Sequence, residues 1–164
     1  MNADQLRAQL GQSSFLRDLS DAHVDKLAEL ARWREYAPQA VIFREGDPPT
    51  SVYVIESGRV GLEICAPGIG CRRILTAAPG DLLGWSPVLG ESRLTATARA
   101  LEPTTCFEFK AGQVLAACEH DAAFGYAFMR RLALEMAKRL NATRMQLMDV
   151  FGTHMPEAEA KTGA

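Results

Sequence analysis

"PGDLLGWSPVLGESRLTATARA", residues 79–100, decides how this chain is read. It runs as turn, short strand, glycine, tight apolar turn and then a Thr/Ala-rich strand. A turn of this kind offers backbone N–H groups to an anion, because orphan donors and aligned peptide dipoles favour negative charge. A phosphate cradle ordinarily adds a cation and, for a sugar, a carboxylate. Here apolar Trp85 and Leu94 stand on either side of that turn.

Outward from this stretch, residues 33–110 break into short alternating segments. "AVIFRE" (40–45), "SVYVIES" (51–57), "VGLEIC" (60–65), "CRRILTA" (71–77), "LTATARAL" (94–101) and "TCFEFK" (105–110) are separated by "GDPPT", "SGR", "APGIG", "APGD" and "EPT". Gly58 in "SGR" suits a hairpin turn at positive φ. The pattern predicts a mainly β fold with flanking helices, a double-stranded β-helix of the jelly-roll or β-roll kind.

Helices are expected on both sides of the roll. Residues 4–10 and 20–32 read as helical, the second capped by Ser20 and carrying a stripe of Val24, Leu27, Leu30 and Ala31. Phe15 and Leu16 form an apolar anchor between them. "AGQVLAACEH" (111–120) is a short helix, and Asp121 caps a long one reaching about Val150. Such a helix is roughly 45 Å long, more than a domain of this size covers. Phe124, Phe128 and Leu132 pack it on the roll. Met129, Ala133, Met136, Leu140, Thr143, Leu147 and Val150 then alternate in steps of four and three, a heptad seam. Its simplest partner is a second copy in a two-fold homodimer.

The 164 residues are 48% apolar and 23% charged, with a formal net charge of −2, so nothing suggests bulk attraction to nucleic acid or to an anionic membrane. No apolar run approaches the ~18 residues of a membrane span, and "MNADQLRAQL" lacks signal-peptide features; a cytoplasmic location is expected. Cys65, Cys71, Cys106 and Cys118 form no CxxC pair and are read as reduced thiols. Cys65 and Cys71 could meet across a hairpin, but a cytosolic disulfide would be unusual.

The order of elements, with "VIFREGDPPTSVYVIESGRVGLEI" and "PGDLLGW…TATARA", resembles the cyclic nucleotide-binding domain, specifically the sensor half of Crp/Fnr-type regulators. The similarity covers about residues 12–151. Gly46-Asp47, Gly58, Pro79-Gly80-Asp81 and Gly84 fall on matching positions, and "EMAKRLNATRMQLMDV" (135–150) is similar to the dimer helix of those regulators. Residues 1–151 are accordingly read as one sensor domain, with the roll at about 33–110 and the long helix at about 121–150. Residues 152–164 are read as a disordered tail.

The resemblance implies a ligand site at Gly84, Trp85, Ser86, Pro87, Val88, Leu94, Thr95 and Ala96, faced by Thr143 on the long helix. Ser86 and Pro87 suit the N-cap and first turn of a short helix. The family's ribose-binding glutamate falls on Trp85 and its phosphate-binding arginine on Leu94. Losing both contacts costs about 3–6 kcal/mol, or 10²–10⁴-fold in affinity. Arg93, one residue early, points to the opposite strand face unless a bulge intervenes. Arg99 shares the face of Thr95 but lies about 13 Å further along. Trp85 and Leu94 either fill an old pocket or shape one for another ligand.

Two functions follow. One is a homodimeric, non-enzymatic sensor of a cyclic nucleotide or other small ligand through a changed pocket, acting on a downstream protein. The other is a scaffold or interaction module that has lost its ligand. No recognition helix or basic patch follows Phe151, so direct DNA binding is not expected. No catalytic or metal-ligating set is recognised: His23, His120 and His154 lie on helices or in the tail, and no nucleophile has a base at suitable spacing. The cysteines lack iron–sulfur spacing, and no haem axial pattern appears.

Overall fold

The strand "SVYVIES" is buried on both faces, and that single fact organises the molecule. In the computed structural model, which describes residues 2–151, it forms β3 (Ser51–Ser57). Val52 and Val54 point to one side and Tyr53 and Ile55 to the other, as the period-2 alternation of a strand requires. The first pair joins Phe107, Phe109 and the helices in one core. The second joins Val60, Leu62, Ala77 and Ala98 in the interior of the roll.

The remaining elements are α1 (Ala3–Gln12), a 3-10 turn (Ser14–Leu16), α2 (Asp21–Leu30), β1 (Arg32–Tyr36), β2 (Val41–Phe43), β4 (Val60–Ala66), β5 (Gly70–Ala77), β6 (Leu82–Leu83), β7 (Thr97–Ala100), β8 (Thr104–Lys110), α3 (Ala111–His120) and α4 (Ala122–Phe151). Two antiparallel four-stranded sheets, ordered β1-β8-β3-β6 and β2-β7-β4-β5, close on each other as the expected roll. Ser20 caps α2 through the His23 amide at 3.3 Å, and Asp121 caps α4 through the Phe124 amide at 3.1 Å. Phe15 and Leu16 are buried in the core that holds α4.

Three boundaries differ from the sequence reading. The second helix stops at Leu30, and Arg32–Tyr36 form an unanticipated strand along β8. The strand expected at 94–101 narrows to Thr97–Ala100, because Leu94 is tied instead to the Gly46-Asp47 turn. The Gly46 amide donates to the Leu94 carbonyl at 2.8 Å, and the Leu94 amide to the Asp47 carbonyl at 3.0 Å. The short helix expected after Gly84 is a set of turns. Val88 and Leu89 donate to the Trp85 carbonyl at 2.9 and 3.3 Å, and Glu91 to the Ser86 carbonyl at 3.0 Å. Gly90 adopts φ +77°, so the chain turns out before a second helical turn forms.

The reading of Cys65 and Cys71 as reduced thiols is corrected. The β4–β5 register sets the two residues directly opposite each other, with Cα atoms 3.9 Å apart, and they form a disulfide. Cys106 and Cys118 are free thiols. The expectation of disorder at 152–164, with His154, lies outside the described residues.

An ionic network centred on buried Glu108 holds the β1-β8-β3 sheet. Glu108 accepts hydrogen bonds from Ser51 at 2.7 Å, Lys110 at 2.9 Å and Arg34 at 2.6 Å. Burial alone would raise the Glu108 pKa. The bonds from Lys110, Ser51 and Arg34 outweigh it and hold the carboxyl at about 2.

Candidate ligand cleft between the roll and the long helix

Three consecutive features aim the 79–100 stretch at α4. The Pro79-Gly80-Asp81 turn is closed by the Asp81 carboxylate, which accepts from the Ala78 amide at 2.9 Å and also pairs with Lys138 of α4. Leu82 and Leu83 then pair with Val54 and Tyr53 of β3. Gly84 follows at φ +69°, where a Cβ would come within 3.0 Å of the Ser51 carbonyl oxygen and 3.3 Å of the Phe43 ring. Glycine is therefore required there by both conformation and space. Immediately beyond it, the Trp85 and Ser86 amides donate to no protein acceptor among the described residues.

Helix α4 is fixed against the body by Phe124, Phe128 and Leu132, all in the core. Arg131 adds bonds to the carbonyls of Phe15 at 2.6 Å and Ser14 at 2.7 Å. One turn beyond Glu135 and two beyond Leu132 comes Arg139, whose guanidinium carbon lies 4.2 Å from the centroid of the Trp85 ring. Its Nη2 donates to the Leu82 carbonyl, and its Nε lies 3.7 Å from Glu135 Oε1, too long for a hydrogen bond. Both Nε and Oε1 are buried without hydrogen-bond partners among the described residues. Burial lowers the Arg139 pKa, against the nearby Glu135 and Asp81 charges. Burial raises that of Glu135, with Asp81 adding to it. The hydrogen bond to Asp81 raises that of Lys138.

The sequence reading did not name Arg139, whose guanidinium borders this turn from α4. Arg93 donates instead to the Gly46 carbonyl at 2.6 Å, and Arg99 contacts Glu63 at 3.3 Å and the Gln39 carbonyl at 3.1 Å, so neither strand arginine serves the cradle. A usable signal existed: Arg139 precedes Thr143 by one helical turn and follows Glu135 by one, which places the three on one helix face.

Two adjoining spaces result, with Leu62, Trp85, Thr95, Ala96 and Arg139 lining both. The inner one, about 60 Å³, is lined by Gly84, Trp85, Ser86, Leu94, Thr95 and Ala96, all of them named from the sequence, together with Phe43, Leu62 and Arg139. Leu94 is buried on its floor, with 7% exposure. Pro87 and Val88 do not line it; Val88 is part of the core. The outer cleft, about 790 Å³, lies between the β4–β5 hairpin and the outer half of α4 and takes in Trp85, Thr95, Ala96, Arg139 and Thr143. Thr143 turns its hydroxyl back to the Arg139 carbonyl at 3.0 Å. The cleft also includes Arg73, which the sequence reading did not single out.

The seam positions divide. Met129 packs partly buried against the core of its own chain. Ala133, Met136 and Leu140 are exposed in the single chain, and Leu147 and Val150 are exposed at the margin of the cleft. Of the expected seam, Thr143, Leu147 and Val150 also border the cleft. Among the described residues no three His, Cys, Asp or Glu side chains cluster as metal ligands, and no helix is long and apolar enough to cross a membrane.

Comparison with known proteins places this geometry. Residues 33–121 match the model of the cyclic nucleotide-binding domain. The chain is 31% identical over 142 residues to the HTH-type transcriptional regulator Cmr of Mycobacterium tuberculosis, covering 84% of this chain and 54% of the regulator. It therefore spans about half the length of that relative. The catabolite activator protein of Thermus thermophilus superposes with a TM-score of 0.69 at 26% identity, over 85% of this chain and 63% of that one. A cyclic nucleotide-binding domain from Methylobacillus flagellatus superposes with a TM-score of 0.76 at 16% identity, over 96% of this chain and 86% of that one.

Proposed function

The chain belongs to the cyclic nucleotide-binding domain family, and from that premise we propose that it is a non-enzymatic regulatory module that senses a small ligand through an altered pocket and works as a homodimer. The observation that carries this reading is the stack of Arg139 on Trp85 at the base of an open cleft. It joins the family's ligand-binding turn to α4 by a contact that a ligand can change. A cation held over an indole and largely out of water is worth about 1–2 kcal/mol. Replacing or reinforcing it would bias the position of the helix by a comparable amount. Because Thr143, Leu147 and Val150 line the cleft and also belong to the seam, a ligand there would act on the dimer contact directly.

The pocket is altered in two respects. Trp85 replaces the sugar-binding carboxylate that the family resemblance implies, and the cation comes from α4 rather than from the strand. Tight cyclic nucleotide binding in the family manner is not expected. A thermal-shift screen with cyclic AMP, cyclic GMP and small anionic metabolites tests the sensor reading, since a ligand that binds only the native state raises its melting temperature.

One observation favours a second reading. The inner space is only about 60 Å³ and Arg139 already covers Trp85, so the site could be satisfied without any ligand. A ligand-free scaffold built on α4 would show no shift with any compound in the screen.

A further inference from the structure

The outer cleft has two apolar walls that the single chain leaves open. Ile64, Ile74 and Leu75 of the β4–β5 hairpin form one, and Leu147, Val150 and Phe151 of α4 the other. Ile74 is 42% exposed and Val150 69%, although both border the same concavity. At 790 Å³ it has the size of an ordinary small-molecule site. Charge is distributed unevenly along it. Arg139 stands at the inner end, where the cleft meets the turn after Gly84, and Arg73 stands on the hairpin. Asp149, the one carboxylate lining the cleft among the described residues, is about 15 Å along the helix from Arg139.

Resting on the sensor reading above, we infer that the ligand class of this cleft is an apolar carboxylate. Its single anionic head meets Arg139 at the inner end, and its aliphatic or aromatic body lies between the hairpin and α4. Arg139 is held ready for such a head by the Leu82 carbonyl and the Trp85 ring, and its Nη1 donates to no protein acceptor among the described residues. A planar guanidinium fixed in this way suits a planar carboxylate. The inner space of about 60 Å³ favours a compact head such as a carboxylate over a ribose with its cyclic phosphate. Nothing lining that space is a carboxylate, so sugar hydroxyls would find no strong acceptor there. The walls, by contrast, offer an apolar body a place out of water on both sides.

Calorimetric titration of the full chain with hexanoate, octanoate, decanoate, octanamide and cyclic AMP tests this. Saturable binding of one carboxylate per chain is expected, tightening about twofold to fourfold for each added methylene. Octanamide, lacking the charge, should bind at least tenfold more weakly than octanoate. Arg139→Gln should weaken octanoate at least tenfold. Ile74→Glu, an exposed wall position outside the core, should do the same without threatening the fold. Equal affinity for octanoate and octanamide, affinity independent of chain length, or an unaffected Ile74→Glu variant would overturn the inference. Cyclic AMP binding with no carboxylate binding would overturn the ligand class while leaving the sensor reading intact. Failure of every compound, with no thermal shift in the wider screen, would remove both.

Discussion

Trp85→Ala and Arg139→Met, made singly and together, probe the contact on which the account depends. Full truncation of a buried tryptophan costs about 3–5 kcal/mol. Trp85 is only partly buried against the core, so about 2–3 kcal/mol is expected. For a chain of this size that lowers the melting temperature by about 4–12 °C. Arg139→Met keeps an apolar stem but removes the bond to the Leu82 carbonyl and leaves buried Glu135 without its nearest cation. That change should cost about 1–3 kcal/mol. Only the coupling between the two isolates the stack. With the guanidinium 4.2 Å from the ring centroid and its side chain 14% exposed, the coupling should lie toward the upper part of the 0.5–2 kcal/mol range for cation–π pairs. Urea unfolding of the four proteins at one pH measures it. Single-mutant costs that add to within about 0.3 kcal/mol would show that Trp85 and Arg139 are neighbours without an energetic link, and the proposed route from turn to helix would fail.

Other predictions follow from the same geometry. Glu108 is held at about 2 against an ordinary 4.5, so between those values the unfolded chain binds more protons than the native one. The stability it contributes is complete above about pH 4.5 and is lost as the pH falls toward 2. From pH 6 to pH 3 the wild type should lose about 1–2 kcal/mol that Glu108→Gln does not, by urea unfolding; parallel losses would contradict the network. Leu140→Glu, at an exposed seam position, should convert a dimer to a monomer by light scattering, whereas an unchanged mass would place the interface elsewhere. Thiol titration of unfolded, unreduced protein should count only Cys106 and Cys118, and all of the cysteines after reduction; four thiols at the outset would exclude the hairpin disulfide.

The roll was legible in the sequence because its signals are local. Alternation over 51–57, glycine in the turn at 58 and the capped start of α4 at Asp121 each report a few neighbouring residues, and the structure repeats them closely. The strand Arg32–Tyr36 was not legible, since "RWREY" borders β8 with little apolar alternation of its own and directly continues a helical pattern. The meeting of Cys65 and Cys71 across the hairpin was legible; the disulfide was set aside on the redox habit of cytosolic proteins, which says nothing of this register. Thr143 was named as facing the turn, but Arg139 was not. Gly84, Trp85, Leu94 and Thr95 were found because they are close in sequence, but the cation facing them is on a helix more than forty residues later. Reading strand positions for a replacement arginine could only return Arg93 and Arg99, whose partners lie outside the site.

The most direct test of the sensor reading is the melting temperature of the full chain with each candidate ligand at 1 mM. A compound with a dissociation constant of about 10 μM stabilises the native state by about 2.7 kcal/mol, which raises the melting temperature by about 5–11 °C. The account predicts such a rise for at least one small anion, and its loss in Arg139→Gln. A melting temperature unmoved by every cyclic nucleotide and every apolar acid would contradict it and leave α4 and the filled turn as a scaffold.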